Sequence, residues 1–263
     1  MQPVSPSPAD ALRFERICQE LIRAGKPASE SFSGIGTLGE KMLHAAVKTY
    51  LCEDTAYHEQ SLSPSTRMVA DVCRDGHIYE VQTGSFFPLR KKIGWYLQNT
   101  DCRITVVHPI PTVRYLAWIK PESGDIGPRR RCPKVDPVKA VARQLYWLSD
   151  YIGDPRFSIR VLCIEAEEYR MQDGWGNGGK RGSHRYDLAP LKLLGEIELS
   201  TTEDYATHFL PTDKLPIPFT AAGYAAATGI RGRPTYGLIH LMERLELLEA
   251  AEKIGRGQGY RIR

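Results

Sequence analysis

The stretch MVADVCRDGHIYEVQTGSF, residues 68–86, decides the fold. Met68, Ala70 and Val72 alternate with their neighbours, Asp75-Gly76 is a turn pair, and the alternation resumes from Ile78 to Gln82. That is the pattern of a two-stranded hairpin. In the first strand Asp71 interrupts an apolar run; in the second, Glu80 and Gln82 stand two apart, so a continuous strand sends both to one face. Pairing across the turn brings Asp71 near Glu80. Two converging carboxylates repel unless a cation neutralises them, and hard oxygen donors of this kind suit Mg2+ or Mn2+.

Working outward, LGEKMLHAAVKTY (38–50) puts Leu38, Met42, Ala45, Ala46 and Tyr50 on one stripe of a helix. Glu40 near its start offers a third carboxylate, and His44, four residues on, shares its face. Another amphipathic helix is expected over 9–24, behind a short frayed N-terminal tail. On the other side, Pro88 to Leu97 reads as a short basic helix with proline in its first turn. Residues 103–109 and 115–119 read as two buried strands. The order helix, strand, strand, helix, strand is that of an α/β fold. Further along come a helix over 133–152 and a strand over 157–165. Residues 171–187, with five glycines, read as a loop, and PTDKLPIP (211–218) as a linker.

The hairpin and its flanking helices resemble the PD-(D/E)XK nuclease superfamily, over about residues 38–119. That resemblance implies a restriction-endonuclease-like mixed sheet flanked by helices. It also implies roles: Glu40 as the helix acid, Asp71 as the metal-bridging aspartate, Glu80 as the second metal ligand. The usual lysine of the motif is Gln82 here. An amide is neither base nor cation and can only orient a water. The candidates for the missing charge are Lys91 and Lys92 on the next helix and Lys41 and Lys48 on the preceding one; if none reaches, the fold binds DNA without cutting it. Arg90, Lys91 and Lys92, one loop beyond Glu80, are the expected phosphate contacts at this site.

The C-terminal segment 219–263 resembles a winged helix-turn-helix: Thr220 caps an Ala-rich helix, Thr228-Gly229-Ile230 turns the chain, a second helix starts at Pro234, and two short strands surround a Gly-Arg-Gly tip. The resemblance implies that Arg231, Arg233, Thr235 and Tyr236 meet a DNA groove, and that Lys253, Arg256 and Arg261 meet phosphate.

Composition agrees with these two places for a polyanion. The chain has 263 residues and a net charge of only +4. Residues 84–143, however, hold 12 basic and four acidic side chains, and 219–263 hold seven and four. No apolar run approaches the ~18 residues of a spanning helix. The first ten residues lack the basic start and apolar stretch of a secretory signal, so a cytoplasmic location is expected. The six cysteines have no metal-ligand spacing and read as reduced thiols.

The expected organisation is an N-terminal helix within 1–30, a nuclease-like unit over 31–210, the linker, and the winged helix over 219–263. The expected function is metal-dependent DNA cleavage, with dimerisation as one way to cut both strands. The alternatives are a catalytically inactive DNA-binding regulator on the same two modules, and a protein-interaction scaffold.

Overall fold

The structure is a computed structural model that describes residues 3–25, 39–63, 68–120, 122–174 and 182–263. Its hairpin forms as the turn chemistry requires. Strand β2 (Val69–Arg74) pairs antiparallel with β3 (His77–Val81), and both turn residues, Asp75 and Gly76, have φ near +50° and +70°. That left-handed pair suits Asp-Gly and matches the twist of the strands it joins. Strand β1 (His58–Ser61) pairs outside β2. On the other side of β3 lie β4 (Arg103–Ile119), β6 (Phe157–Gly174) and β7 (Gly182–Leu199), with the two-residue β5 (Arg130–Arg131) on β4. The result is a mixed seven-stranded sheet: β3, β4 and β6 run parallel, and β1, β5 and β7 join antiparallel.

Helices cover both faces. Helices α1 (Pro8–Gly25) and α2 (Gly39–Leu51) bury Phe14, Ile17, Leu43, Ala46 and Val47 against Val81, Val107, Leu162, Ile164 and Leu193. The opposite face carries α3 (Leu89–Asn99), α4 (Pro137–Leu145) and the 3-10 turn 146–148, with Ile93, Tyr96, Val141, Leu145 and Leu148 on Ile78, Ile104, Val106, Ile159 and Val161. Each large apolar side chain buried in this way contributes roughly 1.5–3 kcal/mol. Helix α5 (Thr202–Phe209) follows the sheet and is held at its start by a reciprocal Thr201–Asp204 capping box.

The C-terminal segment is built from β8 (Phe219–Thr220), α6 (Ala221–Thr228), α7 (Arg233–Arg244) and the hairpin β9 (Leu248–Ile254) and β10 (Gly257–Ile262). Thr220 caps α6 through Gly223 N, and Gly229 ends it in the left-handed conformation that a C-terminal glycine supplies. Leu238, Ile239, Leu241 and Met242 of α7 belong to the same core as α4, and Leu215 of the proline-rich stretch is buried. The C-terminal segment therefore shares its core with the sheet.

Three expectations are corrected. Val4 is hydrogen-bonded to Glu196 in both directions, so the described part of the N-terminal tail is fixed to β7. Strand β4 runs through Pro109 and Pro111, where two strands were expected. The reason is the sheet edge: Val107 O faces β3 and accepts from Gln82 N, pairing with β3 ends there, and the prolines two and four residues on have their ring nitrogens on that open side. Finally, the expected loop over 171–187 is strand at 171–174 and 182–187; 175–181 lie outside the described residues.

Candidate active site

The β2–β3 ladder stops at Val72–Tyr79, one pair short of Asp71 and Glu80. There Asp71 Oδ2 accepts the Val81 N–H at 2.7 Å, taking the place of a strand carbonyl. The same oxygen meets His44 Nε2 from α2 at 3.2 Å. Glu80, two residues after Ile78, points to the α3 face and is 1% exposed. Its Oε2 accepts from Lys92 Nζ at 2.6 Å and its Oε1 from Tyr96 OH at 2.8 Å. Lys92 and Tyr96 lie four apart on α3, one above the other on the helix face.

The two acids are held differently. The Glu80 carboxyl is raised to about 7: burial and the negative charge of nearby Asp71 push it up, and together they outweigh the downward pull of Lys92 and the Tyr96 hydroxyl. For Asp71 burial also acts upward, but the His44 hydrogen bond and charge, the Val81 N–H and Lys92 outweigh it, and the net shift is downward. Asp71 is therefore a settled anion. Glu80 sits near half-protonation at neutral pH.

Of the lysines weighed as replacements for the motif lysine, Lys92 is the one among the described residues that meets Glu80; the side chain of Lys41 lies outside them. Lys48 pairs instead with Glu59, and Lys91 is exposed. Gln82 departs from expectation. Strand β3 ends at Val81, so the two-residue period does not carry to Gln82; its side-chain amide donates to Ser85 O within its own loop, and its backbone carbonyl oxygen accepts from His108 Nδ1. Glu40 lies in the first turn of α2, and its side chain is outside the described residues.

Asp71 and Glu80 would hold a divalent cation. The donor set fits in kind, being hard oxygens, and Asp71 Oδ1 makes no hydrogen bond among the described residues. Among those residues no group of three His, Cys, Asp or Glu side chains is gathered around one point.

The basic residues separate into paired and unpaired. Arg90 meets Asp150 at 3.5 Å, and Arg129, the first of three consecutive arginines, meets Glu167 at 3.6 Å while lying over Tyr115. Arg231, Arg233, Lys253 and Arg256 are exposed, and none makes an ion pair or hydrogen bond among the described residues. Tyr236 is 66% exposed. Thr235 is not available as a DNA contact: it is buried, and its hydroxyl donates to Ile230 O at 2.8 Å, fastening α7 to the turn before it. His44 and Lys92, both named from the sequence, are joined here by Tyr96, which the sequence reading missed. An available signal was a lysine and a tyrosine four apart on the helix that follows the acidic strand.

Residues 41–200 match the family described as Domain of unknown function (DUF8091). The chain belongs to that family. No curated protein and no solved structure matches it. The DUF8091 span contains His44, Asp71, Glu80, Lys92 and Tyr96, and it ends before α5 and the C-terminal segment.

Proposed function

We propose that this chain is a metal-dependent DNA endonuclease of the PD-(D/E)XK type, with a mixed nuclease-like sheet and a C-terminal winged helix that recruits DNA. The observation that carries the reading is that Asp71 and Glu80 lie near enough at the open end of the β2–β3 hairpin for one charge to act on the other, with Lys92 of α3 on Glu80. A divalent cation bound there would supply Lewis-acid activation of the phosphodiester and of a water. Asp71 stays ionised and oriented by Val81 N–H and His44. Glu80 would hold such a cation as the carboxylate, so occupancy near neutral pH would be linked to loss of the Glu80 proton. Lys92 provides the fixed positive charge that Gln82 lacks. Gln82 shapes the loop. The winged-helix reading rests on α6, α7 and the β9–β10 hairpin with unpaired Arg231, Arg233, Lys253 and Arg256 at their exposed ends.

The test is incubation of the purified protein with linear, supercoiled, nicked and branched DNA in Mg2+ or Mn2+, beside Asp71→Ala and Glu80→Ala. Metal-dependent cutting by wild type should fall by about a thousandfold in each variant, roughly 4 kcal/mol of barrier. An independent readout is thermal unfolding at pH 8, where Mn2+ should stabilise wild type and not Asp71→Asn. Cutting that survives both alanine variants overturns the assignment. DNA retention without cutting by wild type would instead select the inactive DNA-binding reading, which the engagement of both Glu80 oxygens by Lys92 and Tyr96 favours.

A further inference from the structure

The loop that leaves Glu80 for α3 ends in Phe86-Phe87-Pro88, and the two phenylalanines part ways. Phe86 is fully buried, and its N–H donates to Gln144 Oε1 at 3.2 Å, so the loop is fastened to the end of α4. Phe87 points outward and is 56% exposed. Its ring meets Trp147 edge-on at 4.9 Å between centroids, and Trp147 meets Tyr146, 59% exposed, at 5.4 Å. Three aromatic rings thus form one continuous row on the surface, its first member on the loop that joins the β3 of the candidate site to α3. Trp147 packs against the core beneath, which fixes the middle of the row.

Its flanks are basic and unspent. Lys91, four residues after Phe87, and Arg143, three before Tyr146, are both exposed and make no ion pair or hydrogen bond among the described residues. The acid nearest in sequence, Asp150, is already engaged by Arg90 and Arg244 at 3.5 Å each. At its far end the row reaches α7: a Cβ built on Gly237 would lie 3.5 Å from that of Tyr146, so the turn bearing the unpaired Arg233 stands beside it.

We propose that this row is a stacking platform for single-stranded nucleic acid. Exposed aromatic side chains that are fixed from below and flanked by unpaired cations present what an unpaired strand needs: flat apolar faces for bases, and positive charge for the phosphates between them. Bases inside a duplex are already stacked and cannot use the rings. The platform selects a strand with unpaired bases and leads it past Lys91 toward Lys92 and Glu80. Binding does not depend on the nuclease reading; only its consequence, that the preferred substrate is single-stranded, frayed or branched, rests on it.

The experiment measures Kd by fluorescence anisotropy in EDTA, for a labelled oligothymidylate and a blunt duplex of the same length, with tryptophan quenching as a second signal. Wild type should bind the single strand at least tenfold more tightly and show quenching. Phe87→Ala and Tyr146→Ala should each weaken that binding by about tenfold. Phe87→Tyr and Tyr146→Phe should restore it, while duplex binding and thermal stability change little. Glu80→Gln should bind the single strand as wild type does, so a loss of cutting in that variant and a loss of the platform are separable. Equal affinity for duplex and single strand overturns the proposal, as does unchanged affinity in both alanine variants. Self-association that Phe87→Ala abolishes, in a protein that binds no oligothymidylate, also overturns it and assigns the row to a protein interface.

Discussion

Two glutamates are almost wholly buried in this sheet, and their surroundings are opposites. Glu168, on β6, is 2% exposed and faces three arginines: Arg114 at 2.6 Å, Arg170 at 3.1 Å and Arg185 at 3.7 Å. Glu80, on β3, is 1% exposed and has a single lysine, a tyrosine hydroxyl, and another carboxylate whose charge works against it. In the parallel register Glu80 stands beside Val106 of β4, and Glu168 beside Leu116. At about 3.3 Å per residue they are roughly 30 Å apart along the strands. The difference lies in how far each carboxylate is compensated. Glu168 closes an ion cluster with Arg114, Arg170 and Arg185. Glu80 meets Lys92 while the charge of Asp71 works against it, and the proposed cation would fill that deficit.

The largest effect should come from breaking the closed cluster. Glu168→Ala leaves Arg114, Arg170 and Arg185 without their carboxylate, and removing one partner of a buried pair costs about 3–5 kcal/mol. The arginines are about a third to a half exposed, so the lower end applies. Urea unfolding should register a loss near 3 kcal/mol, with no change in cutting per folded molecule. An equal loss of stability in Glu80→Gln would erase the contrast between the two sites.

The second effect is one of pH, and its sign follows from the shift at Glu80. The folded carboxyl titrates near 7 and the unfolded one near 4.5, so between those values the folded state holds a proton that the unfolded state has released. The contribution is fully present below pH 4.5 and is lost as pH rises through 7. At 1.36 kcal/mol per unit, wild type should lose about 3 kcal/mol relative to Glu80→Gln between pH 4.5 and 8. Parallel stability curves for the two proteins would show that Glu80 is already fully compensated. Asp71, shifted downward, acts the other way: its contribution is present above the ordinary aspartate range and fades as pH falls below it.

Third in size is Lys92→Met, which keeps the length and apolar stem of the side chain but removes the charge. If Lys92 replaces the motif lysine, cutting should drop ten- to a hundredfold, with stability within about 1 kcal/mol of wild type. Lys91→Met, one position away and facing solvent, should leave the rate at duplex nicks unchanged. Comparable losses in both variants would point to phosphate attraction by the whole helix rather than a specific role for Lys92.

How much of this was legible in the sequence depends on whether the information was local. The hairpin was legible because Asp75-Gly76 fixes its turn and an acid in each strand breaks an apolar pattern. Helix α2 announced itself by its apolar stripe and α3 by the proline in its first turn. Which strand residue Lys92 would meet was not legible, since a helix over 88–97 says nothing of its height over β3. Gln82 was misjudged because a two-residue period says nothing about where a strand stops. The length of β4 was hidden by Pro109 and Pro111, which interrupt a strand only where a neighbour needs their N–H. Thr235 looked like a surface contact at the start of a recognition helix, but the turn before it needed a donor for Ile230 O, and that demand came from tertiary structure.

The smallest predicted effect sharpens the contrast between paired and unpaired cations. The arginines of the Glu168 cluster are spent on the protein itself, whereas Arg231 and Arg233 at the start of α7 are exposed and make no pairing among the described residues. Only the unpaired kind can release counterions from DNA. Arg231→Ala with Arg233→Ala should therefore weaken duplex binding a few-fold at physiological salt, and lower the slope of log K against log salt by about two. Point changes are the proper test because α7 lends Leu238, Leu241 and Met242 to the common core, so removing the segment would expose the apolar faces of α4 and the sheet. Arg170→Ala is the matched control. It should leave the salt slope unchanged while costing stability, since its guanidinium already has Glu168 and Ser183 O as partners. A slope that falls with Arg170→Ala and not with the α7 pair would move the DNA to the other end of the sheet.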